Sequence, residues 1–204
     1  MQHTDQAANK KGFHCVQGLI NLVPISADHG TLLVRDGSHH LHQELLRDLP
    51  DADKKADWIR FSAEQTRLMD ERGCKEVRVA GGVGSLFLWD SRTAHQNSFA
   101  LAPGLWRWAV YVCYQPRALA TPGVLKRKAA AYDDYRNTTH WPASKLQLFP
   151  HAPRTYGAPL PVFYPRLPEL RTRAEVEDDV TLQLAGKKPY AAVVQSAPLL
   201  SLGL

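Results

Sequence analysis

The sequence predicts a mainly β domain. Three observations carry that expectation. Runs rich in β-branched, aromatic and aliphatic residues recur at 14–24, 31–35, 75–80, 86–89 and 105–115. Turn-forming Gly, Asp, Ser and Pro stand between them, as at Ser26-Ala27-Asp28-His29-Gly30 and Pro103-Gly104. Helical patterns are few and short.

The elements follow in order. Residues 14–24 read as a strand whose apolar run is interrupted by Gln17 and Asn21. Such residues either face into a ligand-holding barrel or mark one wet face. Residues 31–35 form a short strand. Asp36-Gly37-Ser38-His39 is a turn feeding a helix near 40–47. His39, His40 and His42 crowd that helix start without an i, i+4 pair, so they are expected on its surface and not as metal ligands. Residues 51–55 are a polar linker. Ser62 caps a helix over 62–72, Gln65 completes a capping box, and Gly73 stops it. Residues 75–80 alternate as a strand. Gly81-Gly82-Val83-Gly84 precedes a strand instead of a helix, which makes it a tight connection and not a phosphate cradle. Leu86-Phe87-Leu88-Trp89 reads as a strand covered on both faces and running out toward His95. Residues 105–115 form the second strong strand. Trp106, Trp108, Val110, Val112 and Tyr114 share one face, and Arg107, Ala109, Tyr111 and Cys113 the other. Thr121-Pro122-Gly123 opens a helix to about residue 136. Prolines at 150, 153, 159, 161, 165 and 168 disfavour regular structure beyond it. Residues 141–204 are expected to be an extension wrapping the core or partly disordered, with a short helix within 166–180, and not a separate domain.

Composition narrows the function classes. The chain has 204 residues, enough for one domain with a real core. Its net charge is +5 and its pI about 9.2. The basic residues are scattered, and Lys126-Arg127-Lys128 falls on an expected helix face. This argues against nucleic acid and suits an acidic small molecule or acyl ester. The 3 cysteines are odd in number and include no Cys-x-x-Cys, which does not look like a disulfide framework or a zinc site. Cys15 and Cys113 are expected as reduced packing residues. No run reaches membrane-span length. The first residues carry no basic region followed by an apolar stretch, so the expected location is cytoplasmic unless a targeting segment precedes Met1. No Gly-x-Ser-x-Gly elbow supports a serine hydrolase.

One constellation carries chemistry. His3-Thr4-Asp5 on a strand places an imidazole and a carboxylate on one face. His95, from a distant strand, completes two histidines and one carboxylate, the facial set of non-haem Fe(II) oxygenases, which leaves three coordination positions open. Arg107 lies on the next expected strand, where a guanidinium can clamp a carboxylate or form a structural salt bridge. Arg92 is a second basic residue near His95, able to hold an acidic ligand or to pair with Asp90.

The order His-x-Asp, distal histidine and arginine resembles the Fe(II)/2-oxoglutarate dioxygenases. Gly12-Phe13-His14-Cys15-Val16-Gln17-Gly18, Asp36-Gly37-Ser38-His39 and Trp89-Asp90-Ser91-Arg92 with His95 narrow this to a resemblance to the phytanoyl-CoA dioxygenase-like family over roughly residues 1–140. The resemblance implies a double-stranded β-helix core, jelly-roll or cupin-like, with flanking helices. It implies Fe(II) held by His3, Asp5 and His95, and 2-oxoglutarate as co-substrate with its distal carboxylate on Arg107 and Arg92 nearby. It implies an oxidoreductase that hydroxylates a small-molecule or acyl substrate; Asp5 argues against halogenation. Two features depart from the family. His3 stands almost at the first residue, where the family carries a sizeable preceding segment, so the domain is expected to be N-terminally incomplete. Asp36 stands where the family often has proline. Two other readings remain: a non-catalytic member of the same fold acting as a binding protein, and a cupin-like metalloenzyme that does not use 2-oxoglutarate.

Overall fold

A computed structural model describes residues 1–150, 175 and 177–190. Among these, eight strands form two antiparallel sheets: β1 (His3–Thr4), β2 (Val16–Asn21), β3 (Leu32–Arg35), β4 (Ile59–Arg60), β5 (Glu76–Arg78), β6 (Leu86–Asp90), β7 (His95–Asn97) and β8 (Ala109–Tyr114). The larger sheet has the order β4-β1-β7-β3-β5, the smaller β6-β2-β8. The helices are α1 (His42–Leu45), α2 (Ala63–Glu71), α3 (Pro122–Asp133) and α4 (Asp179–Leu184). The fold is therefore mainly β, and its two sheets are compatible with the expected jelly-roll core.

The chain divides into two compact units. The first, Met1–Pro116 with His140–Pro142, contains both sheets. In its larger sheet the cross-strand register sorts the two faces. Thr4 pairs with Ile59, and His3 pairs with both Arg60 and His95. Paired residues project to the same side of a sheet, so Thr4 and Ile59 face one way and His3 and His95 the other. On the Ile59 side, Ile59 and Phe61 pack with Leu45, Leu46, Met69, Cys74 and Ala94 in the main apolar cluster. α2 closes this side. Its capping box is formed as expected: the Ser62 hydroxyl accepts from the Gln65 N–H, and the Gln65 side chain accepts from the Ser62 N–H. Arg35 ties β3 to its surroundings through Asp70, Glu76 and the Cys74 carbonyl.

In the smaller sheet, β2 is central. Gln17 pairs with Trp89 and Cys113, and Gly18 with Leu88 and Val112. A Cβ at Gly18 would lie 2.8 Å from Leu88 Cδ2 and 2.9 Å from the Phe87 carbonyl oxygen, so the close strand approach requires glycine. Gln17, Leu19 and Asn21 alternate on one face of β2, and all three are buried.

The second unit holds α3 and α4 among its described residues. Thr121 caps α3, with Pro122 in the first turn as expected. Asp178 caps α4, and Lys187 pairs with Asp133 at 2.7 Å. Of the recurring prolines, those at 153, 159, 161, 165 and 168 lie outside the described residues. So do residues 166–174 of the expected short helix, and residues 191–204.

Several local expectations are corrected. β6 is covered on one face only, since Leu86 and Leu88 are 46% and 54% exposed. An apolar run records the strand, not how many faces are covered. Nor does β6 run straight into His95. The chain turns through 91–94 and His95 opens β7 in the other sheet. β8 begins at Ala109, with Trp106 and Trp108 exposed ahead of it. His42 is buried at the start of α1, where its Nε2 bonds the Gln6 carbonyl at 2.9 Å and burial lowers its pKa. A backbone carbonyl 36 residues away supplies the partner that sequence spacing cannot reveal. No helix among the described residues is long and apolar enough to cross a membrane.

The cysteines are free thiols. Burial is the main cause that pushes Cys15 up to about 12 and Cys113 up to about 11, and it raises Cys74 as well. A raised pKa keeps the inert thiol form at ordinary pH. Native protein at pH 8 is therefore expected to react slowly with a chromogenic disulfide, whereas the denatured chain exposes all 3 thiols. Fast native labelling of one equivalent would contradict this packing.

Candidate metal centre

β1 and β7 are neighbours in the larger sheet, and their register brings His3 directly opposite His95. The two rings stand 4.4 Å apart between centroids. Asp5 follows two residues after His3 and returns to the same side. Its backbone N–H bonds the Ser91 carbonyl at 3.3 Å, and the Thr4 hydroxyl bonds the same carbonyl at 3.0 Å. The turn after β6 thus anchors the end of β1. One donor atom from each of His3, Asp5 and His95 lies within 4.8 Å of the others. His95 Nε2 is 3.2 Å from Asp5 Oδ2, and His3 Nε2 is 3.9 Å from the same oxygen.

The hydrogen bonds around this group decide what it is suited to hold. His95 Nδ1 is 2.9 Å from the Thr93 carbonyl, and His3 Nδ1 is 3.1 Å from the Met1 carbonyl. A carbonyl only accepts, so each Nδ1 carries the proton, and in the neutral ring each Nε2 presents a lone pair. Both lone pairs face Oδ2 of a carboxylate, which is also an acceptor. Three acceptors converging on one point repel one another unless a proton or a metal cation lies among them. This is the arrangement in which backbone carbonyls orient metal-binding histidines. Gln17 donates to Asp5 Oδ2 at 2.7 Å and fixes the carboxylate from the smaller sheet.

The electrostatics agree with a cation-binding role. Burial raises the Asp5 pKa, but the neighbouring His95, then His140 and the Gln17 hydrogen bond, more than offset it, and the carboxyl is held at about 2. Burial, followed by the neighbouring His95, lowers His3, against an opposing pull from Asp5. The favoured forms are a carboxylate and a neutral imidazole, the forms that bind metal. Buried polar atoms without a hydrogen-bond partner gather here: Gln17 Oε1, Trp89 Nε1 and His140 Nε2. Gln17 touches Asp5, the Trp89 ring is 5.4 Å from that of His95, and His140 Nε2 is 3.9 Å from Asp5 Oδ1. The residues present fit a divalent metal.

Arg107 is half-buried just before β8. It donates to Asn97 Oδ1 at 2.7 Å and to the Tyr111 hydroxyl at 3.2 Å, and the Tyr111 hydroxyl donates to Asn97 Oδ1 at 2.9 Å. Asn97 is two residues past His95 on β7, so it shares the His95 face about 7 Å along the strand. Arg92 is differently engaged. Its guanidinium forks onto Asp90, with Nε–Oδ1 at 3.0 Å and Nη2–Oδ2 at 2.6 Å. Trp89 also lines a cavity of about 480 Å³ with Leu32, Val34, Val79, Phe87 and Thr93.

The structure thus brings together His3, Asp5 and His95, places Arg107 along the same strand face, and commits Arg92 to Asp90. The sequence leaves Gln17 either facing inward or on a wet face, and does not show it as a partner of Asp5. Nor does it mark His140 as a site residue. The only signal there was the isolated string His140-Trp141-Pro142 at a change of composition.

No family model matches the chain. It is similar to Ava biosynthesis cluster protein O of Aspergillus versicolor, with 32% identity over 147 residues, covering 69% of this chain and 47% of that protein. The chain spans about half the length of the curated relative it matches.

Proposed function

We propose that the chain carries the metal centre of an Fe(II)- and 2-oxoglutarate-dependent oxygenase of the phytanoyl-CoA dioxygenase-like kind. The observation that carries this reading is the convergence of His3 Nε2, His95 Nε2 and one Asp5 oxygen, with both Nδ1 atoms tied to backbone carbonyls. Two nitrogens and one carboxylate oxygen with open positions are the donor set suited to non-haem Fe(II). With 2-oxoglutarate and dioxygen, iron in such a site supplies an oxidant for hydroxylating a substrate carbon, releasing succinate and carbon dioxide.

The chain's own residues have separable tasks. Thr93 and Met1 carbonyls set the histidine tautomers, and Gln17 holds the carboxylate. Arg107 anchors the distal carboxylate of the co-substrate. Its partners among the described residues are neutral, so its positive charge is available to an acidic ligand. Arg92, forked onto Asp90, shapes the loop before β7, and its charge is met by that carboxylate unless the pair opens to an acidic ligand. The cavity beside Trp89, lined by Phe87, Val34 and Leu32 and also by Asp36, His39 and Asp90, is of a size that takes a small molecule. The relative's name, a biosynthesis cluster protein, supports a biosynthetic role.

The test is an anaerobic titration with Fe(II), then 2-oxoglutarate, read by the visible charge-transfer band of the chelate. A saturable band that needs both components is the expected result. Tight Fe(II) binding with no band and no bound 2-oxoglutarate would instead favour a cupin-like metal centre. No metal binding by folded protein would leave the binding-protein reading.

A further inference from the structure

We infer that His140 is a positioning residue of the metal centre, holding Oδ1 of Asp5 through Nε2 and so presenting Oδ2 to the metal. The inference rests on the metal-binding reading above and adds a residue to it. His140 belongs to the three-residue stretch His140–Pro142 that joins the β-sheet unit, far in sequence from the other site residues. Its placement is built, not incidental. The Cys15 thiol donates to the His140 carbonyl at 3.3 Å. Trp141 is 3% exposed, and Lys10 Nζ lies 3.3 Å over its ring while pairing with Asp57 at 2.7 Å. This packing fixes the backbone at the His140 carbonyl and through Trp141.

The imidazole then delivers a buried Nε2 that has no hydrogen-bond partner and stands 3.9 Å from Asp5 Oδ1. A side chain that merely filled space here would do better without a polar atom, because an unsatisfied buried donor is costly. The two carboxylate oxygens have different surroundings. Oδ2 already receives Gln17 and faces both metal-binding histidines, whereas Oδ1 faces His140. A carboxylate held at one oxygen alone can rotate and offer either atom, or both, to a metal. A second donor at Oδ1 removes that freedom. The separation is longer than a hydrogen bond, and a small carboxylate rotation as Oδ2 engages the cation closes it. The donor atoms that lie within 4.8 Å of one another are those of His3, Asp5 and His95, and His140 stands outside that set. Its role is therefore to act on the ligand Asp5, not to bind the metal itself. Outer partners of this kind change metal affinity by roughly 10–100-fold.

The experiment measures Co(II) affinity of the full chain by competition with a chromophoric chelator under anaerobic conditions, in wild type, His140→Ala and His140→Gln. The expected result is a weakening of about 10–100-fold in His140→Ala, with most of it recovered in His140→Gln, whose amide nitrogen can donate to Oδ1. X-ray absorption of the wild-type Co(II) protein is expected to count two imidazoles, and this reading needs no variant to fold. Three imidazoles would make His140 a ligand and overturn the inference. Equal affinity in wild type and His140→Ala would overturn it while leaving the metal centre standing. A folded wild type that binds no Co(II) would remove the metal centre and this role together.

Discussion

Replacing His95 with alanine is expected to abolish the stabilisation that a divalent metal gives the proposed centre. His95 is the residue on which the site's geometry converges. It pairs in register with His3, lies 3.2 Å from Asp5 Oδ2, and is oriented by the Thr93 carbonyl. A ligand that binds only the folded state at 100 times its Kd stabilises by about 2.7 kcal/mol. For a domain of this size that raises Tm by roughly 5–11 °C. His95→Ala leaves one imidazole and one carboxylate, and the affinity loss should exceed the roughly 100-fold reached by removing an outer partner. At a metal concentration that saturates the wild type, the variant's melting curve should therefore coincide with its metal-free curve. Asp5→Asn should do the same, because it keeps the size of the side chain but removes the charge. A metal-induced Tm shift that survives His95→Ala would place the cation elsewhere. Both variants also relieve the convergence of acceptors, so their metal-free forms should lose little stability beyond the hydrogen bonds named above. Metal-free melting in the presence of a chelator checks that point.

How much of this was legible in the sequence depends on how local each cause is. His3-Thr4-Asp5 could be read because side chains two apart on a strand share a face, a rule that needs no partner strand. The α2 capping box and the Thr121-Pro122 start of α3 were equally local and formed as expected. That β1 and β7 are adjacent, with His3 opposite His95, is a fact of strand pairing across more than ninety residues. Composition does not encode it. The same holds for His42, which reads as one of three clustered surface histidines until the Gln6 carbonyl is placed beside it. Leu86-Phe87-Leu88-Trp89 misled in another way. Four apolar residues in a row suggested cover on both faces, but Leu86 and Leu88 remain largely exposed. His140 carries no periodic signal, since it acts through a three-residue return to the β-sheet unit. The carbonyls of Met1 and Thr93, which fix the tautomers, are backbone groups and leave no trace in residue identity.

Arg107→Ala is expected to weaken 2-oxoglutarate binding by about 100-fold while leaving Fe(II) affinity unchanged. The two halves of that result have separate causes. Arg107 bonds Asn97 and Tyr111 and is not among the donors of the metal group, so its loss does not disturb the cation. Its guanidinium carries five donors, and its bonds to Asn97 and Tyr111 aim it without neutralising its charge. A forked pair with a carboxylate, built from charge-assisted hydrogen bonds, is worth about 3 kcal/mol here, which corresponds to roughly 100-fold in Kd. Arg107→Lys should recover only part of this, because an ammonium keeps the charge but cannot present the planar fork. Arg92→Ala supplies the contrast. Arg92 already spends its fork on Asp90, so its removal should act mainly through the released Asp90 and cost 2-oxoglutarate much less. Titrating the co-substrate into Fe(II)-loaded protein compares the three variants directly. A large loss in Arg92→Ala with none in Arg107→Ala would move the anchor to Arg92 and mean that its pair with Asp90 opens when the acid binds. Indifference in both would separate the metal centre from 2-oxoglutarate altogether, because a dicarboxylate bound at the metal alone would lack the second contact that distinguishes it from a simple 2-oxo acid.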